Sequence, residues 1–217
     1  MESLGRHEDY GQEALSETHL VGDPIEQFKL WLAEAEAADI YEPNAFVLST
    51  VSLEGQPRAR TVLLKGVDEN GFFFATNYLS RKGQALSENP KVSAVFGWYS
   101  IYHQVIIEGV ARVVPSQESD DYHNSRPHDS QVAAWSSHQS QFIENRDALD
   151  KQFEEALLKF ENGEVPRPDY WGGYRIVPTR IEFWKGRSNR MHDRIEYVRT
   201  QKGDGSFTPW EIQRLQP

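Results

Sequence analysis

Between Ala45 and Val114 the chain is cut into short β-patterned runs by regular turn signals, and the same texture returns from Gly173 to the C-terminus. No other feature restricts the fold as much, because closely spaced strands joined by tight turns pair antiparallel. The runs are Ala45 to Ser52, a turn at Glu54-Gly55, Pro57 to Val67, a turn at Glu69-Asn70-Gly71, and Phe72 to Thr76. A short helix is predicted from Ser80 to Ser87, stopped by Asn89-Pro90, followed by strands over Lys91 to Tyr99 and Tyr102 to Val114. Residues 116 to 162 lose this pattern and read as helical. The clearest amphipathic run is Arg146 to Phe160, where Leu149, Phe153, Leu157 and Phe160 share a face. After Val165-Pro166-Arg167-Pro168, strands are expected over Gly173 to Lys185, His192 to Thr200 and Phe207 to Leu215. Strand runs split by a helical insert make a mainly β protein, an antiparallel barrel with peripheral helices.

The chain of 217 residues is long enough for one substantial core, and a single domain over residues 23–217 is expected. Residues 1–22 are polar and aperiodic and read as a flexible arm. Asp23-Pro24 then opens a helix, with Asp23 as cap and Glu26 placed for a capping box. Ile25, Phe28, Trp31, Leu32 and Ala35 form one apolar face through about Ile40. No apolar run approaches the roughly 20 residues of a membrane helix, and the N-terminus lacks the basic start and apolar core of a secretory signal. The absence of cysteine excludes disulfides and thiolate chemistry and agrees with a cytoplasmic location. A net charge of −10 argues against a polyanionic nucleic acid as partner. Any anion must therefore be small and held locally.

The stretch from Tyr170 to Arg194 is where such an anion is expected. If a strand runs on from Arg190, then Arg190, His192 and Arg194 project from one face and Met191, Asp193 and Ile195 from the other. Two fixed cations beside an imidazole repel one another unless an anion sits against them, and guanidinium forks onto phosphate or carboxylate oxygens. A solvated strand face is the competing reading. Trp171, Tyr174, Phe183 and Trp184 bring more aromatic surface to this stretch than an idle edge needs. Together they suit a flat anionic ligand.

Three further groups mix cations with hydroxyls. Ser80-Arg81-Lys82 falls at a helix start, where free amides and the helix dipole favour an anion, although an ordinary capped helix explains it as well. Tyr122, Arg126 and Ser130 follow one another at steps of four, the interval of one helix face, but Pro127 divides them between the end of one helix and the start of another. Arg60 and Lys65 differ by an odd number, so a shared ligand needs a bulge or contacts from both the strand body and its end. No glycine-rich phosphate loop, His-Glu-x-x-His pattern or Gly-x-Ser-x-Gly elbow occurs, which leaves redox or transfer chemistry on a bound cofactor easier to support than hydrolysis.

These residues resemble the pyridoxine/pyridoxamine 5′-phosphate oxidase family over nearly all of the chain from about Asp23 to Pro217. The motifs are Arg60-Thr61-Val62-Leu63-Leu64-Lys65, Thr76-Asn77, Ser80-Arg81-Lys82, Gln104-Val105 and Glu108-Gly109. They continue with Ser125-Arg126-Pro127, Ser130-Gln131, Ala134-Trp135, Gln139-Ser140, Trp171-Gly172-Gly173-Tyr174, Ile181-Glu182-Phe183-Trp184 and Arg190-Met191-His192-Asp193-Arg194.

The resemblance implies an FMN-binding split β-barrel working as a homodimer, with FMN in clefts built from both subunits. It implies FMN contacts from Arg60, Thr61, Val62, Leu63, Lys65, Thr76, Arg81, Lys82, Gln104, Gln139, Ser140, Trp184 and Arg194. The substrate phosphate falls to Lys65, Tyr122, Arg126 and Ser130, with Arg190 and His192 over the pyridine ring as the catalytic pair. No metal is implied. The implied reaction takes pyridoxamine or pyridoxine 5′-phosphate and dioxygen to pyridoxal 5′-phosphate and hydrogen peroxide. A split-barrel flavin or deazaflavin oxidoreductase of another substrate, and a flavin-binding protein without turnover, are the alternatives. The chain departs from the family pattern at Ala75 and His103, where weaker flavin contacts are expected. The family's arm residues are matched only loosely by Arg6 or His7 and Tyr10, and no role is carried over to them.

Overall fold

A computed structural model describes residues 10, 11 and 13–217, and all structural statements below concern these. Nine strands form one antiparallel sheet in the order β2-β1-β5-β6-β7-β4-β3, with β8 on β7 and β9 on β8. The strands are β1 Ala45–Val51, β2 Pro57–Leu63, β3 Gly66–Asp68, β4 Gly71–Asn77, β5 Lys91–Trp98, β6 His103–Val113, β7 Trp171–Lys185, β8 Asp193–Val198 and β9 Glu211–Leu215. The helices are α1 Pro24–Ala37, α2 Arg81–Glu88, α3 Ser116–Asn124, α4 His128–Ser136 and α5 Arg146–Lys159. This is the mainly β architecture with peripheral helices that the strand spacing predicts, and its sheet opens into a split barrel.

The split originates in β7. Its first half pairs with β4, from Asn77↔Trp171 to Phe72↔Ile176, while its second half pairs with β8, from Lys185↔Asp193 to Arg180↔Val198. Along its other edge β6 runs the full length of β7, with a bulge between Glu108 and Gly109. Gly109 faces Pro178, which has no N–H to give a ladder. A Cβ on Gly109 would lie 2.2 Å from the Val177 carbonyl oxygen, so only glycine fits the bulge.

The core fills from alternate positions of the strands, such as Val92, Ala94, Phe96 and Trp98 of β5. Helix α1 closes one side. Asp23 caps it by accepting the Ile25 N–H, and Phe28 meets Phe72 and Phe96 edge-on at 4.9 and 4.8 Å. Glu26 pairs with Lys29 instead of reaching back to complete a capping box. The helix stops at Ala37, short of Ile40, because Asp39 turns left-handed with φ 52° and Ile40 N–H bonds back to Ala35. The helical insert builds its own small core from Val132, Ala156, Phe160 and Val165, joined by Trp135, Phe153 and Leu157.

Three expectations need correction. The run Pro57 to Val67 is two strands, because the buried Leu64 bonds its N–H to Asn44 and Lys65 bonds to Phe73 across the break. Phe207 makes only an isolated bridge to Gln201, with Pro209 interrupting before β9 begins at Glu211. From Glu13 onward the arm is held to the barrel. Leu15 is buried and gives its N–H to Asp193, Glu17 forks onto Arg214, and Lys185 bonds Glu13. Arg6 and His7 lie outside the described residues. No helix among the described residues is long and apolar enough to cross a membrane.

Candidate active site

Ten of the candidate residues converge on one cleft of about 320 Å³: Arg60, Thr61, Val62, Leu63, Lys65, Thr76, Lys82, Tyr122, Arg126 and Gln139, with Ala75 and Trp171 completing its wall. Strand β2 supplies Arg60 from its body, and Lys65 follows just past its end, the second of the two arrangements an odd spacing allows. Ser80 caps α2 by accepting the Gly83 N–H at 3.2 Å, which turns Lys82 inward and leaves Arg81 exposed. Asn124 ends α3 and Pro127 precedes α4, so Tyr122 reaches the cleft from the end of α3 and Arg126 from the short link between the two helices. Ser130, in the first turn of α4, and the exposed Ser140 do not line it.

Among the described residues, four cations line this cleft and no carboxylate does. Arg60 spends Nη1 on the Leu48 carbonyl and Thr50 Oγ1, at 3.0 and 2.9 Å, and burial works against its charge. Lys82 donates to Thr76 Oγ1 at 2.9 Å and to Gln139 Oε1; burial and then Arg60 lower its pKa to about 8. Arg126 lies over the Trp171 ring, its Cζ 4.6 Å from the centroid, and Tyr122 stacks on the same indole at 6.0 Å. Its Nη1 is buried without a hydrogen-bond partner, and desolvation lowers its pKa. A buried guanidinium with an unpaired N–H is costly unless an anion meets it.

The remaining candidates form a second constellation. Register pairs Gln104 with Trp184 and Trp184 with Arg194, so these three stand in one row across β6, β7 and β8. The His192 ring lies 4.7 Å from the Trp184 ring, and Tyr10 packs edge-on against both His192 and Trp184. Tyr10 was not assigned from sequence, and its docking is a long-range contact with no local signal. His103, next to Gln104, faces the opposite way: it stacks on Trp31 at 4.0 Å, and burial followed by Lys185 lowers its pKa to about 4. Its side chain therefore stands outside that row.

The expected comb of Arg190, His192 and Arg194 does not form. Strand β8 begins only at Asp193, and Ser188–Arg190 is a 3-10 turn in which Asn189 and Arg190 adopt φ of 56° and 60°. Arg190 is exposed, and Arg194 forks onto the buried Glu182 at 2.7 and 2.9 Å. Neither Arg190 nor His192 lines the cleft of Arg126 within one chain.

An acid-free cleft with a half-buried lysine, a stacked arginine and a free buried N–H is chemically fitted to phosphate, and its indole and phenol offer ring surface beside it. The fold and this cleft define a split-barrel protein with a cationic, aromatic-walled cleft of the chemistry that suits a phosphate.

Models of two families match the chain: pyridoxamine 5′-phosphate oxidase over residues 32–160, and the pyridoxine 5′-phosphate oxidase C-terminal dimerisation region over residues 171–217. Proteins named pyridoxine/pyridoxamine 5′-phosphate oxidase are 47% identical in Crocosphaera subtropica, over all of both chains, and 50% identical in Trichormus variabilis, over 96% of this chain and 95% of that one. Among solved structures, PhzG from Burkholderia lata in complex with tetrahydrophenazine-1-carboxylic acid is 32% identical, with a TM-score of 0.85 over 95% of this chain and 99% of that one. The chain belongs to the pyridoxamine 5′-phosphate oxidase family.

Proposed function

We infer that this chain catalyses the FMN-dependent oxidation of pyridoxamine 5′-phosphate and pyridoxine 5′-phosphate to pyridoxal 5′-phosphate, the step that completes the vitamin B6 cofactor. Dioxygen is the terminal oxidant and hydrogen peroxide the second product in this reading. The observation that carries it is the cleft lined by Arg60, Lys65, Lys82 and Arg126 with no carboxylate among the described residues, in a chain of net charge −10.

FMN would be held by Arg60 to Leu63, Lys65, Thr76, Lys82 and Gln139 of one subunit, with Arg81 and Ser140 at the rim. Gln104, Trp184 and Arg194 would come from the other subunit of a homodimer. Their separation from the cleft within one chain, and the dimerisation family matched by residues 171–217, support that division. When bound, FMN supplies the acceptor for the hydride that leaves substrate C4′. The chain's own residues do the rest. Lys65, Tyr122 and Arg126, with Ser130 nearby, anchor the substrate phosphate, and that remote binding fixes the ring for transfer. Arg190 and His192, from the partner's turn, cover the pyridine ring, and Trp184 and Tyr10 form the aromatic wall that keeps water from it.

The test is spectroscopic. Purified flavin-loaded protein, made anaerobic and mixed with pyridoxamine 5′-phosphate, loses its visible flavin absorbance and regains it on admission of air. Flavin that stays oxidised under excess substrate overturns the reading.

A further inference from the structure

We propose that His192 acts as a fixed hydrogen-bond donor through Nε2–H, set in that tautomer by the backbone N–H of Arg187, and is not the base that takes a proton from the substrate. The proposal rests on the functional reading above and adds the protonation state of one of its two catalytic residues.

The Arg187 N–H donates to His192 Nδ1 at 3.0 Å. A nitrogen that accepts a hydrogen bond carries a lone pair, so the neutral ring keeps its only proton on Nε2. A flipped ring would set Cδ2–H against the same N–H, which removes the usual ambiguity of histidine orientation. The turn is built to make this contact. Asn189 and Arg190 take left-handed backbone, which residues other than glycine seldom adopt, and bring residue 192 back beside residue 187. Around the turn, Gly186 N–H bonds the Tyr102 carbonyl at 2.8 Å, Met191 N–H bonds Ser188 at 3.1 Å, and the Arg187 side chain bonds Asp193 at 3.2 Å.

The same geometry disfavours the imidazolium, because a second proton would have to sit on Nδ1, facing the Arg187 N–H. The groups around the ring add to this. Trp184 of β7 and Tyr10 of the arm bring no charge, Arg190 of the turn is cationic, and the Asp193 carboxylate is engaged by Leu15, Arg187 and Arg214. Burial, then Arg190, accordingly lowers the His192 pKa. A ring that is disfavoured from gaining a proton at Nδ1 and already carries one at Nε2 offers a lone-pair atom of the substrate a donor.

The holoenzyme labelled with ¹⁵N in its histidine rings, with His192 assigned from the His192→Gln variant, should show Nδ1 unprotonated and Nε2 protonated at about pH 8, with any protonation midpoint below the ordinary histidine value of about 6.5. A proton on Nδ1 at that pH, or a midpoint above the ordinary value, overturns the proposal. In turnover, His192→Gln keeps an N–H at the ε position, whereas His192→Asn carries its amide at the δ position. The Asn variant should therefore be roughly tenfold to a hundredfold lower than Gln in kcat/KM. Equal activities overturn the donor role. The ring signals do not depend on turnover, so failure of the oxidase reading itself, an oxidised flavin under substrate, is a separate result.

Discussion

Arg126 lies over the face of Trp171, its Cζ 4.6 Å from the ring centroid, with Nη1 buried and unpaired. The indole fixes the plane of the guanidinium before any ligand arrives, so little side-chain entropy is left to lose on binding. Arg126→Ala removes a charged contact to a non-reacting phosphate. KM for pyridoxamine 5′-phosphate should rise roughly tenfold to a hundredfold with flavin content near wild type, and kcat should fall by less than that because Lys65 and Tyr122 still orient the phosphate, as steady-state kinetics and the visible spectrum will show. An unchanged KM would return Arg126 to the surface.

Lys82 titrates at about 8, because burial and then Arg60 penalise its charge. A phosphate dianion beside it favours the ammonium, so the flavin-bound protein holds this proton more tightly than the free protein does. FMN affinity should therefore be fully present below about pH 8 and fall as pH rises through that value, by up to tenfold per unit for one proton. Fluorescence titration of apoprotein with FMN measures this, and Lys82→Met should flatten the dependence. An affinity independent of pH in wild type would contradict the assignment.

Arg194 is committed to Glu182 by two bonds, and Glu182 is nearly buried. Arg194→Met leaves that carboxylate without its fork and should cost about 1–3 kcal/mol in urea denaturation, besides weakening flavin binding. Wild-type stability would show that the pair is a bystander.

Gly109→Ala tests the bulge. The added Cβ would meet the Val177 carbonyl at 2.2 Å, so the β6–β7 ladder must shift. A loss of about 1–3 kcal/mol is expected from thermal or chemical unfolding, and a neutral change would mean that the ladder absorbs it.

Much of the barrel was legible because alternation survives in the strands: β5 buries Val92, Ala94, Phe96 and Trp98 and leaves its other face toward neighbours. Tyr122 and Arg126 could be paired from their spacing, and Pro127 announced the break between α3 and α4 beside them. What the sequence hid was long-range. Nothing local shows that Arg194 is captured by Glu182 on the neighbouring strand, or that Tyr10 packs on His192 from the far end of the chain. The strand expected from Arg190 failed for a local reason of another kind: two non-glycine residues, Asn189 and Arg190, take left-handed backbone that alternation cannot foresee. The resemblance to a family supplied Gln104 and Gln139, which carry no charge signal of their own, whereas Trp184 stood out by its aromatic surface.

The central claim is that the Arg126 cleft of one subunit is completed by the Arg190–His192 turn of another. It is tested most directly by a mixed dimer, in which an Arg126→Ala, Lys65→Ala chain and an Arg190→Ala, His192→Ala chain carry different tags and are isolated together. Each parent homodimer should be severely impaired, whereas the mixed dimer has one intact site and should recover about half of wild-type activity. A mixed dimer no more active than its parents would contradict the account.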